Sequence, residues 1–367
     1  MTTLRGVGQG SSIVISRMFN ARATRRTLLY VAYCLVVAVL LLEGLFLVLL
    51  HVPRVTGAAP APLRRLAQQV YRHFNRALIQ FDPICARYDP AVTYTMRPGG
   101  CTFGNIEFSN VYQANRLGLR DTDAALDAPE VIVLGDSHAM GWGVGQDETL
   151  ARVLARRTGL KTLNAAVASY ATVREMITLG RLNTSRLRFL VIQYADNDLP
   201  ENTSFREHGN QLPITSEAKY QEIVRYYASQ QSYYPGKYTY RLFMKVLRLE
   251  KPEPDQLEME VIPPIEEAEL FLNALEHAGQ TPLDVLDRVQ VIALEIGQDF
   301  THPRAFIAAL AEVSRRDHHA PFVQLLLTLD TTSVLKPDDF YVLDDHMTAH
   351  GHQVVGDALA EMIKSVR

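Results

Sequence analysis

Ser137, Asp344 and His346 are the residues of this chain whose types and spacing allow covalent chemistry. Ser137 follows an unbroken aliphatic run, Val131–Leu134, which predicts a buried strand that ends at Gly135. A serine at the carboxyl end of a central strand lies where open α/β sheets build their sites. Asp344 and His346 are two residues apart, a spacing at which a carboxylate and an imidazole can converge. The pattern therefore predicts acyl chemistry in which His346 takes the proton of Ser137 and Asp344 orients the imidazole.

Donors for a developing oxyanion follow three predicted strands. Asn197 comes after the run Phe189–Tyr194, and the backbone N–H groups of Ser137 and Ser169 are further donors. Each residue also has a purely structural interpretation, since Asp136 could simply cap the next helix and Asn197 could belong to a turn. The order of Ser, Asn and Asp-x-His, each after a strand, favours the catalytic interpretation.

The elements that must position these residues alternate between strand and helix, which predicts an α/β, doubly wound parallel sheet. Predicted strands cover 131–134, 162–163, 189–194, 289–296 and 322–329, and predicted helices cover 149–157, 173–182, 304–315 and 352–366. Between 200 and 287 a Tyr-rich, charged stretch interrupts the alternation and predicts an insertion that overhangs the crevice as a cap. Its aromatic rings could stack on sugars, but a local aromatic core is the commoner explanation.

The N-terminal region carries a topological signal. Thr27–Val52 is apolar and long enough to span a bilayer, with Glu43 as its only formally charged residue. Five arginines and no acidic residue precede it, namely Arg5, Arg17, Arg22, Arg25 and Arg26. The positive-inside rule then predicts a cytoplasmic tail (1–26) and an extracytoplasmic, periplasmic remainder. A cleaved signal peptide is the alternative, but the apolar run is longer than a signal h-region. Glu43 predicts either a partner helix or a position near the outer boundary.

Between this span and the catalytic region (115–367) lies an Ala/Pro-rich spacer and N-terminal extension (53–114). A helix is predicted over 63–81, and 82–104 suggests no regular structure. Cys85 and Cys101 are compatible with a disulfide in an exported segment, with free buried thiols as the alternative.

Composition limits the function classes. The chain has 367 residues, of which 47% are hydrophobic, enough for one large core or two smaller ones. The formal net charge of −3 gives no electrostatic case for nucleic acid. No Cys/His spacing suggests zinc, and no metal or cofactor is predicted.

Four sequence blocks together resemble those of the SGNH (GDSL-type) hydrolase superfamily: GDSH (135–138), LNAAVASYAT (163–172), YADND (194–198) and DDHMTAHGH (344–352). The segment NRLGLRD (115–121) is similar to one that often precedes the serine block in exported members. The resemblance implies a three-layer, flavodoxin-like fold with a five-stranded parallel sheet.

It also implies Ser137 as nucleophile, His346 as base, Asp344 as its acid and Asn197 as an oxyanion donor. This chain departs from the family at three positions. Ser169 and Ala195 stand where glycine is usual, and Leu343 stands three residues before the histidine, where the family often has its aspartate.

The first functional hypothesis is a membrane-anchored esterase or O-acyltransferase that acts outside the cytoplasm on acyl, chiefly acetyl, esters of an envelope glycan or glycolipid. The resemblance supplies these substrates, together with a membrane-bound acyltransferase as partner. The alternative is a catalytically weak glycan-binding or scaffolding subunit of a polysaccharide-modifying assembly, which Ser169 and Ala195 favour.

Overall fold

A computed structural model describes residues 10–247, 249, 262–279, 283–316 and 319–366, with side chains described from residue 24 onward except at 283–284. Expectations for Arg5 in the cytoplasmic tail and for part of 200–287 therefore lie outside the described residues.

The strands are β1 (Ala86–Asp89), β2 (Thr93–Met96), β3 (Gly99–Gly104), β4 (Ser109–Ala114), β5 (Val131–Leu134), β6 (Thr162–Asn164), β7 (Phe189–Tyr194), β8 (Gln290–Glu295) and β9 (Leu327–Leu329). The helices are α1 (Gly10–His51), α2 (Pro53–Ala58), α3 (Ala61–Phe74), α4 (Ser137–Met140), α5 (Leu150–Thr158), α6 (Thr172–Leu179), α7 (Leu199–Glu207), α8 (Glu217–Gln231), α9 (Lys237–Val246), α10 (Pro264–His277), α11 (Leu283–Leu286), α12 (Thr301–Val313), α13 (Pro321–Gln324) and α14 (Ala349–Ser365).

Five strands form one parallel sheet in the order β6-β5-β7-β8-β9. This is the flavodoxin-like order, in which the chain reverses direction beside β5 and leaves a crevice at the carboxyl ends of the strands. The predicted α/β fold with five parallel strands is confirmed. The last strand is shorter than predicted because Pro321 starts a short helix, α13, and β9 begins only at Leu327.

Helices cover both faces of the sheet, so the domain has three layers. Along β5, Ile132 and Leu134 pack with α6, α10 and α12, whereas Val131 and Val133 pack with α5 and α14 on the other face. All four side chains are fully buried. Burial on both faces explains why this strand has an unbroken aliphatic sequence rather than alternating apolar and polar residues.

The region 200–287 is largely helical in its described part. Its helix α10 packs on α6, α7 and α12 and joins β7 to β8, because parallel neighbours need a crossover connection. Two tyrosines of α8 pack on the N-terminal extension: Tyr227 stacks on Phe81 at 5.0 Å between ring centroids, and Tyr220 lies against Tyr94. These rings form a local aromatic core.

The N-terminal extension is more ordered than the sequence suggests. Helix α3 ends at Phe74, earlier than predicted. The antiparallel hairpin β1-β2 and the strand β3 occupy 82–104, for which no regular structure is predicted, and β3 pairs with β4 just beyond that stretch. Cys85 and Cys101 form a disulfide across a sequence separation of 16 residues. Closing a loop of this length stabilises the fold by about 3 kcal/mol in the chain-entropy model.

One described helix is long and apolar enough to cross a membrane, with its apolar stretch at Thr24–His51. Such a helix fits a single-pass anchor. Its last turns are part of the folded domain, since Phe46, Leu49 and Leu50 are buried against α3.

Candidate active site

The turn after β5 presents Ser137 at the sheet edge. Gly135 has φ +147°, and a Cβ there would lie 2.6 Å from both Ala139 Cβ and Gln193 Oε1, so only glycine fits. Gln193 Oε1 accepts hydrogen bonds from the backbone N–H groups of Asp136 (3.2 Å) and Ala139 (3.0 Å). Asp136 caps α4 by accepting from the N–H of His138 at 2.8 Å. Asp136 therefore caps the helix, as its structural interpretation predicts, and the same turn places Ser137 at the carboxyl end of β5.

The structure brings Ser137, His346 and Asp344 together. Ser137 Oγ lies 2.7 Å from His346 Nε2, although the two residues are 209 positions apart. On the other side of the ring, His346 Nδ1 is hydrogen-bonded to Asp344 Oδ1. All three residues are buried. This is the geometry of a nucleophile, a general base and an orienting carboxylate.

Residues that the sequence analysis did not single out hold Asp344 in place. Its Oδ2 accepts from the Tyr71 hydroxyl at 2.7 Å and from Trp142 Nε1 at 3.3 Å. Its backbone N–H donates to Glu107 at 2.9 Å, and those of Leu343 and Val342 donate to the same carboxylate. Trp142 lies only four residues after the GDSH block, but no local signal marks Tyr71 or Glu107, because their partners are more than 230 positions away.

The imidazole of His346 stacks on two rings. Its centroid lies 4.5 Å from that of His138 and 5.0 Å from that of Trp142. Arg120, buried and part of NRLGLRD, donates to the carbonyls of Met140 (3.2 Å) and Val144 (2.6 Å) and so fixes the loop that carries Trp142. Through Arg120, the segment before the serine block therefore stabilises the loop next to Ser137 and His346.

Two carboxylates determine the charge of the base. Burial lowers the pKa of His346, but Asp344 and Asp345 outweigh it and raise the pKa to about 9. Asp345 Oδ1 lies 3.2 Å from Nδ1 and is paired with Arg76 at 2.8 Å. The neighbouring ring behaves oppositely: burial, with His346 beside it, lowers the pKa of His138 to about 4. At neutral pH, His346 is mostly cationic and His138 neutral.

We expect the activity to rise with pH. Only the neutral form of His346 can accept the Ser137 proton, so kcat/KM for p-nitrophenyl acetate should climb about tenfold per pH unit from neutral pH and level off above about 9. A pH–rate profile measures this, with return to neutral pH as the control for irreversible unfolding. A profile that is flat from neutral pH upward would contradict the assigned base.

The three oxyanion candidates lie at the carboxyl ends of β5, β6 and β7. Among the described residues, the backbone N–H groups of Ser137 and Ser169 have no hydrogen-bond partner, and neither does the Asn197 side chain. Among the described residues, no hydrogen bond joins Ser169 or Asn197 to His346 or Asp344. The Ser137 and Ser169 N–H groups and the Asn197 amide are therefore not engaged by another described residue.

The two departures from glycine are accommodated differently. Ser169 keeps a left-handed backbone with φ +56°, a conformation that glycine adopts without strain. Its Oγ accepts from Gln80 at 2.9 Å. Ala195 is extended with φ −141°, where a Cβ costs nothing. Leu343 is buried in the apolar cluster with Phe46 and Tyr71 and offers no carboxylate, whereas Asp344 is hydrogen-bonded to His346 Nδ1.

Replacing Asn197 with Ala is expected to lower kcat about 100- to 1,000-fold with little change in KM, because an oxyanion donor acts mainly in the transition state. Steady-state kinetics with p-nitrophenyl acetate measure it. Asn183→Ala is the matched control, since Asn183 is exposed in the turn before β7, at the opposite edge of the sheet. An unchanged kcat in Asn197→Ala would remove this residue from the site.

A polar cleft of about 1080 Å³ opens beside the triad, with His138 and Asp345 in its wall. One side is helix α3, which contributes Arg64, Arg65, Gln68, Gln69 and Arg72. The other side is formed by the ends of β7 and β8, with Asp196 and Glu295, and by the start of α12, with His302. The described residues of 200–287 do not line it. The N-terminal extension therefore forms one wall of this cleft, and α10, within 200–287, belongs to the crossover from β7 to β8.

Asp344, Asp345 and His346 are the described group whose ligand atoms come close enough to hold a metal, within 4.8 Å of one another. Their donors are already engaged, however: Asp344 by His346, Tyr71 and Trp142, and Asp345 by arginine. The set fits a hydrogen-bond network around His346 better than an ion site.

No protein-family model and no curated protein matches the chain. Two solved structures are similar to it at low identity. One is a protein assigned to the G-D-S-L lipolytic family from Desulfitobacterium hafniense, with 9% identity and a TM-score of 0.34, covering 63% of this chain and 97% of its own. The other is a carbohydrate esterase family 2 enzyme with a carbohydrate-binding domain from Corynascus thermopiles (Myceliophthora fergusii), with 12% identity and a TM-score of 0.35, covering 65% and 66%. The chemistry of this site is therefore inferred from its own geometry.

Proposed function

We propose that this chain is a membrane-anchored SGNH-type serine esterase or O-acyltransferase. The observation that carries the proposal is the continuous hydrogen-bonded series from Ser137 through His346 to Asp344. It lies at the carboxyl edge of a parallel sheet, beside two backbone N–H groups that have no partner among the described residues. A nucleophile, a base, an orienting acid and oxyanion donors are the parts that acyl transfer needs.

In the proposed reaction, Ser137 Oγ attacks the carbonyl carbon of an ester while His346 Nε2 takes the hydroxyl proton. The tetrahedral oxyanion accepts hydrogen bonds from the N–H groups of Ser137 and Ser169 and from Asn197. Collapse breaks the bond to the alcohol, which leaves with the proton from His346. Water or a sugar hydroxyl then gives its proton to His346 and attacks the acyl carbon of acyl-Ser137. Collapse breaks the acyl–Oγ bond, releases the acid or the acylated sugar, and returns the proton from His346 to Ser137 Oγ.

The cleft supports a hydrophilic acyl carrier. Its walls bear arginine, glutamine and carboxylate side chains, which suit hydroxyl-rich groups better than a long alkyl chain. We propose acyl esters, chiefly acetyl, of an extracytoplasmic glycan or glycolipid as substrate, and a membrane-bound acyltransferase as the partner that supplies acyl groups. The arginine-rich stretch before the apolar helix supports a cytoplasmic N-terminus and an extracytoplasmic catalytic region.

The test uses the full chain in detergent at pH 9, where the base is partly neutral. We expect turnover of p-nitrophenyl acetate, and an acetylated oligosaccharide when a sugar acceptor is added, detected by mass spectrometry. Acetate alone as the product, even at high acceptor concentration, would identify a hydrolase. A folded protein with neither turnover nor reaction with a fluorophosphonate would favour the scaffolding alternative.

A further inference from the structure

The apolar stretch of α1 is longer than a bilayer requires. Thr24–His51 has 28 residues, whereas about 20 cross a hydrocarbon core of about 30 Å. Side chains such as Leu28 and Leu41 are 63% and 70% exposed, but Phe46 and Leu50 near the other end are fully buried in the domain. The last two turns therefore pack on the protein along one face, while Leu45 and Val48 on the other face are 42% and 47% exposed. Because about 20 residues cross the hydrocarbon, its outer edge is expected close to Glu43.

Glu43 is bound by the start of α9. Its carboxylate accepts hydrogen bonds from the backbone N–H groups of Tyr238 (3.3 Å) and Thr239 (2.9 Å), from the Thr239 hydroxyl (2.8 Å) and from the Tyr233 hydroxyl (3.1 Å). A carboxylate at a helix N-terminus is favoured by the partial positive charge there. This contact fixes the first turn of α9 at the depth of Glu43.

The outward face of α9 is apolar. Phe243 and Val246 are 59% and 71% exposed, and Tyr240 and Leu247 are exposed on the same side at helical spacing. On the opposite side, Tyr238 is buried against Phe46 of α1, with ring centroids 6.4 Å apart. The exposed stripe therefore continues the exposed apolar surface of the membrane helix.

Residues around the stripe are of the types found at bilayer interfaces. Tyr233 and Tyr234 precede α9 and are exposed, and Lys245 is an exposed cation in its last turn. Tyrosines collect at the headgroup level, and helices with one apolar face and basic residues lie in the plane of the interface.

We propose that residues 233–247, the interfacial segment, lie in the outer leaflet of a phospholipid bilayer and form a second membrane contact beside α1. The inference rests on the proposed membrane anchoring. Helix α3, which packs on the same end of α1 and forms a wall of the cleft, is then held near the lipid surface. The site would reach acyl carriers attached to the membrane without a long tether.

The test measures lipid contact at single labelled cysteines in the full chain, reconstituted in phosphatidylcholine/phosphatidylglycerol nanodiscs. Cys34 is the exposed free thiol of the described chain and labels the membrane helix itself. In a Cys34→Ser background, Phe243→Cys labels the interfacial segment. Leu325→Cys is the matched control, since Leu325 is 69% exposed at the amino-terminal edge of the sheet. Each thiol carries an environment-sensitive fluorophore, and the lipids carry a spin label either near the headgroup or deep in the acyl chain.

We expect the label at 243 to be quenched at least twofold by the shallow spin label, the label at Cys34 mainly by the deep one, and the label at 325 by neither. Quenching at Cys34 with position 243 no different from 325 would overturn the interfacial segment and leave the anchor intact; a protein partner covering the stripe would give this result. No quenching at either Cys34 or 243 would overturn both. Unchanged ester turnover in the labelled variants verifies that they are folded.

Discussion

Ser137→Ala is expected to lower kcat/KM for p-nitrophenyl acetate by about 1,000-fold or more, because the variant has no nucleophile to form the acyl-enzyme. The substitution removes one hydroxyl and its hydrogen bond to His346, so the thermal unfolding temperature should change little. Steady-state kinetics at pH 9 measure the effect.

Ser185→Ala is the matched control for this substitution, since Ser185 is exposed before β7 at the far edge of the sheet. Wild-type turnover in Ser137→Ala, together with a normal unfolding temperature, would mean that another residue or bulk water attacks the ester.

Asp344→Asn is expected to lower kcat by about 10,000-fold while preserving shape. An amide in place of the carboxylate favours the wrong tautomer of His346 and no longer stabilises the imidazolium that forms during attack. The two neighbouring carboxylates provide an internal comparison, because both lie within hydrogen-bond reach of His346 Nδ1. Kinetics of both single variants across pH separate their roles.

Asp345→Asn should behave differently. Asp345 is mainly the partner of Arg76 and Arg72, and its charge helps to raise the pKa of His346. Its removal should shift the pH–rate profile toward lower pH and increase the activity at neutral pH relative to the plateau. A loss in Asp345→Asn larger than that in Asp344→Asn would reverse the assignment of the orienting acid.

The elevated pKa of His346 has a mechanistic meaning. The carboxylates that hold the free base as an imidazolium also stabilise the imidazolium produced when Ser137 attacks. In the proposed mechanism, the site therefore has a smaller active fraction at neutral pH but favours the charged state that follows proton transfer. A substrate that excludes water from the cleft is expected to lower the pKa of His346 and increase its neutral fraction, because burial disfavours the charged imidazole.

The sequence predicted the central sheet and the triad for physical reasons. Strand β5 is buried on both faces, so its unbroken aliphatic run is a strong signal. The Asp344 and His346 side chains converge within one turn, so their contact could be predicted from their two-residue spacing in the sequence. Their meeting with Ser137 follows from the rule that parallel strands gather their carboxyl ends at one edge.

The residues that hold the triad in place, Tyr71 and Glu107, could not be predicted from sequence patterns. The apolar periodicity of α3 predicts a buried face, and Tyr71 lies beside that face, but periodicity does not tell which surface the helix packs on. Glu107 lies before the short strand β4, in a Gly-rich hairpin whose pairing depends on long-range contacts. The cap expected from 200–287 was inferred from irregular composition, whereas its helix α10 is required as the crossover between β7 and β8.

The most direct measurement of the central claim is the location of a covalent adduct. The full-length protein is treated with a fluorophosphonate at pH 9, where Ser137 should attack phosphorus and displace fluoride, and the digested protein is mapped by mass spectrometry. We predict a single adduct on the peptide that contains Ser137, formed more slowly at neutral pH because His346 is then protonated. An adduct on another residue, or none on a folded protein, would contradict the proposal that Ser137 and His346 form a working nucleophile and base.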